Sequence, residues 1–233
     1  MLDLLNGTRI KRPVDTGPGP KDIIKGTSTY GYFGICPAAE FFSTAELSTA
    51  LGITEGAVIN PTTDWFKFAH EGKVKFISVL PLRRSCSLAH LYRKGAMFPG
   101  SGPGPFPPLI TGSVDQGVTV GKAGYRYDVH VFNATLSGTS ADSATAEIGS
   151  EFRDLFLRVT TSYPTASDRW ADYTATTLGM VNPHIYGWMR DTVTSQSRNY
   201  YRCHAGVSIN PAGYGPAEDV RNIIGWRPVL QLV

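Results

Sequence analysis

Cysteine is scarce in this chain of 233 residues, and no apolar run is long enough to span a bilayer. The three cysteines, Cys36, Cys86 and Cys203, are too few and too widely spaced for a disulfide framework or a Cys-x-x-Cys zinc motif. The first residues also lack the apolar core of a signal peptide. We therefore expect a chain that folds in a cytosol, without disulfides and without inserting into a membrane.

Runs of like charge are missing as well. The formal net charge is +3, and the basic residues are scattered in isolated pairs such as Arg83 and Arg84. A protein that binds nucleic acid carries basic residues clustered along one surface. The charge pattern therefore argues against a nucleic-acid partner.

Compact sets of catalytic or metal-binding residues do not occur in the sequence either. The five histidines are spread singly, and the acidic residues match no calcium-binding loop. Cys203 and His204 are adjacent, but neighbouring residues of a strand point to opposite faces and cannot act as a pair. The sequence therefore predicts no catalytic residue, no metal ligand and no cofactor, and it predicts Cys203 to be structural.

Glycine, proline and aromatic residues are abundant, with 25 glycines, 16 prolines and 11% aromatics. This composition favours an α+β fold of mixed, mostly antiparallel short strands, with two or three short helices and many loops. Residues 1–30 are polar and rich in turns, which predicts an extended N-terminal docking arm. Residues 31–233 are expected to form a single globular domain, whose C-terminal lobe, 163–233, is rich in loops and aromatics.

Local patterns predict two hairpins and three helices. The hairpins span 64–85, with a Glu71-Gly72 turn, and 116–136, with a Gly-Lys-Ala-Gly turn. The first hairpin alternates apolar and polar residues and is expected to be half-buried. The helices are a segment with a Ser43–Glu46 capping box that ends at Gly52, a second at 85–96, and a third at 150–162 capped by Ser150.

The chain ends on "GWRPVLQLV" (225–233), which is unusually apolar for a terminus. This pattern predicts a buried last strand whose neighbours come from earlier in the chain. Arg227 is expected to pair with a carboxylate or with backbone carbonyls. Pro228 is expected at a strand start or sheet edge, because it cannot donate to a ladder.

Five segments with recognisable patterns follow one another in a set order. They are "GYFGICPAAEFFSTAELSTALGIT" (31–54), "DWFKFAHEGKVKFISVLPLRRSCS" (64–87), "GSEFRDLFLRV" (149–159), "SRNYYRCHAGVS" (197–208) and "GWRPVLQLV" (225–233). This set resembles a family of virion structural proteins of tailed bacteriophages, from whose pattern the Pro-rich loop 99–108 departs. The closing segment also resembles the end of the C-type-lectin-like fold, in which the N- and C-terminal strands pair.

The phage resemblance implies a non-enzymatic component of the tail, collar or fibre of a virion, made in the host cytoplasm. The arm would dock on other virion proteins, and the chain would be a homo-oligomer or present in multiple copies. The lectin-like resemblance also leaves open a formylglycine-generating type of enzyme, for which Cys203 is the only candidate nucleophile.

The C-terminal lobe carries aromatic residues among Asp, Asn and Arg, a combination suited to stacking on sugars and binding their hydroxyls. The alternative is that these rings fill the core of a lobe with few strands. A second functional hypothesis is therefore a module that binds a host-surface glycan or receptor. Its candidate residues are Trp170, Tyr173, Tyr186, Trp188, Tyr200 and Tyr214.

Overall fold

Short strands dominate the structure, a computed structural model that describes residues 16–104, 112–134, 136–137, 145–146, 148–180, 186–195, 198–205 and 213–233. The described strands are β1 (Lys25–Gly26), β2 (Tyr30–Cys36), β3 (Ala57–Val58), β4 (Trp65–His70), β5 (Lys73–Ser78), β6 (Arg83–Arg84), β7 (Thr119–Lys122), β8 (Tyr125–His130), β9 (Leu136–Ser137), β10 (Thr145–Ala146), β11 (Tyr186–Ser195), β12 (Arg198–Ala205), β13 (Gly213–Gly215), β14 (Ile224–Trp226) and β15 (Val229–Leu232). Two α-helices, α1 (Thr44–Leu51) and α2 (Leu88–Arg93), accompany them. The predicted α+β class is confirmed.

The strands form two large sheets and a small ribbon. The first sheet has the order β1-β2-β4-β5-β15-β8-β7, and the second has the order β13-β12-β11-β14-β6-β3. The ribbon pairs β9 with β10. Among the named strands of the described residues, only β11 and β14 pair in parallel, so the expectation of mostly antiparallel strands is also confirmed.

The apolar C-terminus lies at the centre of the first sheet. Strand β15 pairs antiparallel with β5 on one side and with β8 on the other, and Val229 and Leu230 are fully buried. The prediction of a buried last strand with earlier neighbours is therefore confirmed. Its expected bounds were too long: 225–233 contains two strands in different sheets, because Arg227 and Pro228 interrupt the ladder between β14 and β15.

Arg227 joins these strands to the rest of the core. Its guanidinium donates hydrogen bonds to the carbonyl oxygens of Ser78 (2.7 Å), Val79 and Leu178 (2.8 Å), as the backbone-carbonyl alternative predicted. The guanidinium also lies 4.7 Å from the ring centre of Phe156. Burial lowers the pKa of Arg227 to about 9, so the side chain is still charged at neutral pH.

Both predicted hairpins form with tight turns. Glu71 and Gly72, with φ of 52° and 74°, link β4 to β5, while Ala123 and Gly124, with φ of 51° and 83°, link β7 to β8. Two consecutive positive φ values are typical of type I′ turns, whose twist matches that of the strands. The second turn is therefore shorter than the predicted Gly-Lys-Ala-Gly segment.

The prediction that the first hairpin is half-buried is wrong, because every residue of β4 is buried. One core packs on the side of the sheet that carries Trp65, and a second core packs on the side that carries Phe66 and Phe68. Successive residues of a strand alternate between faces. Both faces of the sheet are therefore interior at this strand.

The first two predicted helices form with side-chain caps, although α2 is shorter than the predicted range 85–96. Ser43 and Glu46 form the capping box of α1, and Gly52 ends it in the left-handed region with φ of 64°. Ser87 caps α2 by accepting a hydrogen bond from the His90 N–H.

The third helix is shorter and less regular than predicted. It consists of a π-helical turn, Phe152–Phe156, followed by a 3-10 turn, Leu157–Val159. Ser150 Oγ accepts from the Arg153 N–H at 3.3 Å, which agrees with its predicted role as a cap. The helix ends early because Thr160 adopts an extended backbone and pairs with Tyr173.

Strands β1 and β2 lie toward one edge of the first sheet and are separated from the central β15 by β4 and β5. The described residues therefore do not show the N- and C-terminal pairing that the lectin-like resemblance implies. Residues 16–30, the described part of the predicted arm, pack against the chain's own first sheet through β1 and Lys67. Within the described residues, no helix is long and apolar enough to cross a membrane.

Candidate functional site

Glu151 is the centre of a buried ionic cluster at the start of the irregular helix. Its Oε1 lies 2.6 Å from Lys75 Nζ and 2.7 Å from His130 Nε2. Its Oε2 accepts from the Asn133 N–H at 2.9 Å and lies 3.6 Å from Arg190 Nη1. Because Glu151 is 2% exposed and His130 is fully buried, solvent does not reach the cluster freely.

The cluster holds Glu151 in its charged form. Burial alone raises the pKa of this carboxyl, but the neighbouring His130, Arg190 and Lys75 outweigh burial and hold the pKa well below its usual range. Burial lowers the pKa of His130, although Glu151 opposes this effect. At neutral pH the cluster therefore contains a carboxylate, two cations and a neutral imidazole.

This arrangement connects four elements rather than exposing a reactive group. Lys75 lies on β5, His130 on β8 and Arg190 on β11, while Glu151 precedes the irregular helix. Both carboxylate oxygens are occupied by these partners. We interpret the cluster as a polar link between the first sheet, the irregular helix and the second sheet.

The sequence alone did not predict this cluster. Lys75 and His130 each alternate with apolar neighbours, which is the pattern of a polar face in a half-buried hairpin. A usable signal was present in the segment "GSEFRDLFLRV" (149–159), where Glu151 stands beside the apolar stripe of a short helix. A charged residue at that position needs a partner from elsewhere in the fold.

We expect the chain to lose stability as the pH falls from 7.5 to 5.5. His130 has a pKa below its unfolded value of about 6.5, so below that pH the unfolded chain binds a proton that the folded chain does not. The loss approaches about 1.4 kcal/mol per pH unit for one such histidine. Urea unfolding at each pH measures it, and His130→Gln should flatten the slope.

His90→Gln is the matched control for this pH experiment. Burial also lowers the pKa of His90, but this side chain is only partly buried, so its substitution should change the slope less. A slope that is the same in His130→Gln and in the unsubstituted chain would contradict the assignment of a neutral His130.

Trp170 and Tyr173 are the predicted sugar-binding residues that pack on the second core. The Trp170 ring stacks on Tyr32 with centroids 6.3 Å apart, and the Arg158 guanidinium lies 5.0 Å from the Trp170 ring centre. Trp170 is 8% exposed, so most of its surface is already covered. Tyr173 is half-buried and packs edge-on against Phe66 with centroids 4.9 Å apart.

Trp188 is a core residue. It is 1% exposed, and its indole N–H donates to the Cys86 carbonyl at 2.8 Å. Both faces of its ring therefore pack within the protein, which agrees with the alternative that the aromatics fill the core. Trp188 does not offer a ring for a sugar in this conformation.

The remaining candidates lie on strands of the second sheet. Tyr186 opens β11, Tyr200 lies on β12 and Tyr214 on β13, and their side chains lie outside the described part of the structure. The same holds for Cys203, which is paired with Trp188 across β11 and β12. Their roles as ligand contacts stay predictions.

The two described thiols are buried and poorly suited to nucleophilic chemistry. Burial raises the pKa of Cys36 to about 11 and that of Cys86 to about 12, so both are protonated at neutral pH. In the described part of the chain, no three His, Cys, Asp or Glu residues are grouped so that they could hold a metal ion.

Comparisons of the chain with known proteins give no match: no family model, no curated protein and no solved structure matches it.

Proposed function

We propose that this protein is a non-enzymatic structural component of a tailed-bacteriophage virion, associated with its tail, collar or fibre. The resemblance of its ordered segments to such virion proteins is the starting point. The proposal includes synthesis in the host cytoplasm, incorporation into the particle in several copies, and docking on other virion proteins through the N-terminal region.

The observation that carries the proposal is that four of the five recognisable segments meet in one framework. Phe41 of the first segment stacks on Phe76 of the second, with ring centroids 4.5 Å apart. Arg227 of the last segment donates to Ser78 of the second and lies over Phe156 of the third. The segments that carry the resemblance therefore specify the scaffold itself.

Two buried charged groups of these segments, Arg83 and Glu151, help to hold the framework together. Arg83 donates to the carbonyl oxygens of Glu55 at 3.0 Å and Gly56 at 2.8 Å, and Glu151 is enclosed in its cluster. Charged groups whose hydrogen bonds are all made within the fold stabilise a fixed shape, which supports a structural role.

Purified particles should contain this chain at a constant copy number. The chain is expected to stay with the particle through two density gradients, because a structural component is bound to its neighbours. Quantitative mass spectrometry of particles from cells infected with the phage that encodes the chain measures the ratio of this chain to the major capsid protein. A soluble host enzyme followed through the same gradients serves as the control.

Two outcomes would contradict the proposal. One is infectious particles whose proteins do not include the chain. The other is a copy number that falls with each gradient at the same rate as the host enzyme.

A second candidate function, binding of a host-surface glycan, is favoured by the surroundings of Tyr173. This partly exposed ring follows Asp172, whose side chain is 81% exposed and lies 3.9 Å from Arg169. A ring beside polar and charged groups is a common sugar platform. Loss of phage adsorption in Tyr173→Ala, with adsorption retained in Tyr30→Ala, would favour this function.

A further inference from the structure

The ammonium group of Lys67 is enclosed by a short N-terminal segment of the same chain. Lys67 lies on β4 and is fully buried. Its Nζ lies 3.0 Å from Thr16 Oγ1, 2.8 Å from the Pro18 carbonyl oxygen and 2.6 Å from the Pro20 carbonyl oxygen. The Gly17 carbonyl oxygen is 3.4 Å away.

This contact compensates a charge that would otherwise be costly to bury. An ammonium group removed from water needs hydrogen-bond acceptors or a countercharge. Residues 16–20 supply four oxygens, and the rings of Phe33 and Phe76 lie 5.0 and 5.6 Å from Nζ, within cation–π distance. Lys67 and the rings therefore form a cradle shaped for this segment.

The segment itself is held in a set conformation. Pro18 and Pro20 restrict their own φ angles, while Gly17 and Gly19 have φ of 76° and 73°, which other residues adopt only with strain. A Cβ on Gly19 would lie 2.8 Å from Cys36 Cβ, so only glycine fits there. A segment restricted in this way loses little conformational freedom when it binds.

Most of the connection between this segment and β1 is exposed. Lys21, Asp22 and Ile24 are all exposed, and Ile24 is 60% accessible to solvent. A binding segment joined to its domain through a short exposed link is the arrangement in which identical chains exchange an element. The same cradle accepts the same segment whether it comes from its own chain or from another copy.

We propose that the Lys67 cradle is an acceptor site for residues 16–20 of a second copy of this chain. The cradle consists of Lys67, Phe33, Phe76 and Cys36. This inference deepens the proposed function, on which it rests for the close approach of many copies. In an assembly, residues 16–20 of each copy bind the cradle of a neighbouring copy, and its own cradle binds the segment of another copy.

A peptide of residues 16–22, labelled with fluorescein, tests the acceptor site directly. The full-length Gly19→Ala variant is the receptor, because its own segment is displaced by the contact with Cys36 while its cradle is unchanged. Fluorescence polarisation should show saturable binding. A peptide carrying the same Gly19→Ala change should bind at least about tenfold more weakly. Lys67→Met in the receptor should also weaken binding by about tenfold or more, because the charge-assisted hydrogen bonds of the ammonium group are lost.

Binding that is absent, or that is unchanged by Lys67→Met, would overturn the proposal. Near-UV circular dichroism shows whether the Gly19→Ala variant is folded. If it is not, the unsubstituted full-length chain is used with an excess of the peptide carrying a benzophenone. Cross-links should then lie near Phe33 and Phe76 and should disappear with the Gly19→Ala peptide, and cross-links elsewhere would refute the site.

Self-association of the full-length chain is the second measurement. Light scattering at increasing concentration should show dimers or larger species that Lys67→Met reduces, and an unchanged mass distribution in that variant would overturn the exchange. These results do not depend on whether the chain is found in particles. Failure of the exchange is therefore distinguishable from failure of the proposed function.

Discussion

Deletion of Val229–Val233 is expected to abolish cooperative folding. Val229–Leu232 form β15, which is bonded to β5 on one side and to β8 on the other. Removing it separates the two halves of the first sheet and exposes both cores, since Val229 and Leu230 contribute to opposite faces. Each of these buried side chains contributes about 1.5–3 kcal/mol, and the lost ladder adds about 1 kcal/mol per hydrogen bond. This sum is comparable to the total stability of a typical domain.

Circular dichroism and urea unfolding measure this effect. The truncated chain should show no sigmoidal transition and should lose its near-UV signal. Deletion of Val233 alone is the control, because this residue is 69% exposed and follows the strand. A five-residue deletion that unfolds at the same urea concentration as the complete chain would show that β15 is dispensable and would refute the architecture.

Replacing Glu151 with glutamine is expected to destabilise the chain by about 3–5 kcal/mol, the usual cost of removing one partner from a buried ion pair. The substitution preserves the size of the side chain but leaves Lys75 and Arg190 without their carboxylate. The destabilisation is therefore due to uncompensated charge rather than to a cavity. Urea unfolding at pH 7.5 measures it.

Two further variants separate charge from packing. Glu218→Gln breaks the exposed ion pair with Arg93 and should change stability by at most about 1 kcal/mol. Combining Glu151→Gln with Lys75→Met removes one of the uncompensated cations and should recover part of the loss. If the free energy of unfolding lost in the double variant equals the sum of the losses in the two single variants, Lys75 and Glu151 do not stabilise each other through Glu151 Oε1.

Turns, caps and the last strand were predictable because they depend on neighbouring residues. Gly52 and the Ser43–Glu46 pair mark the ends of α1, and Gly72 marks the turn between β4 and β5. Each of these residues acts on backbone groups within a few positions of itself. The apolar residues Val229 and Leu230 likewise favoured a buried position for the last strand.

The partners of buried polar residues were not predictable. His130 and Lys75 alternate with apolar neighbours, which is the pattern of a sheet with one solvated face. The irregular helix covers that face in the structure, so both side chains are interior and contact Glu151. The burial of the predicted sugar-binding residues was not predictable either, because no neighbouring residue in the sequence distinguishes the buried Trp188 from the partly exposed Tyr173.

The sequence by itself determined the fold class, the turns and caps, and the burial of the C-terminus, because propensity and periodicity act over a few residues. Only the tertiary structure decided that β15 lies between β5 and β8, that both faces of β4 are covered, and that residues 16–20 enclose Lys67. These contacts join residues about fifty to one hundred and fifty positions apart. Contacts between residues so far apart in the sequence depend on how the whole domain packs, and a local sequence pattern does not predict them.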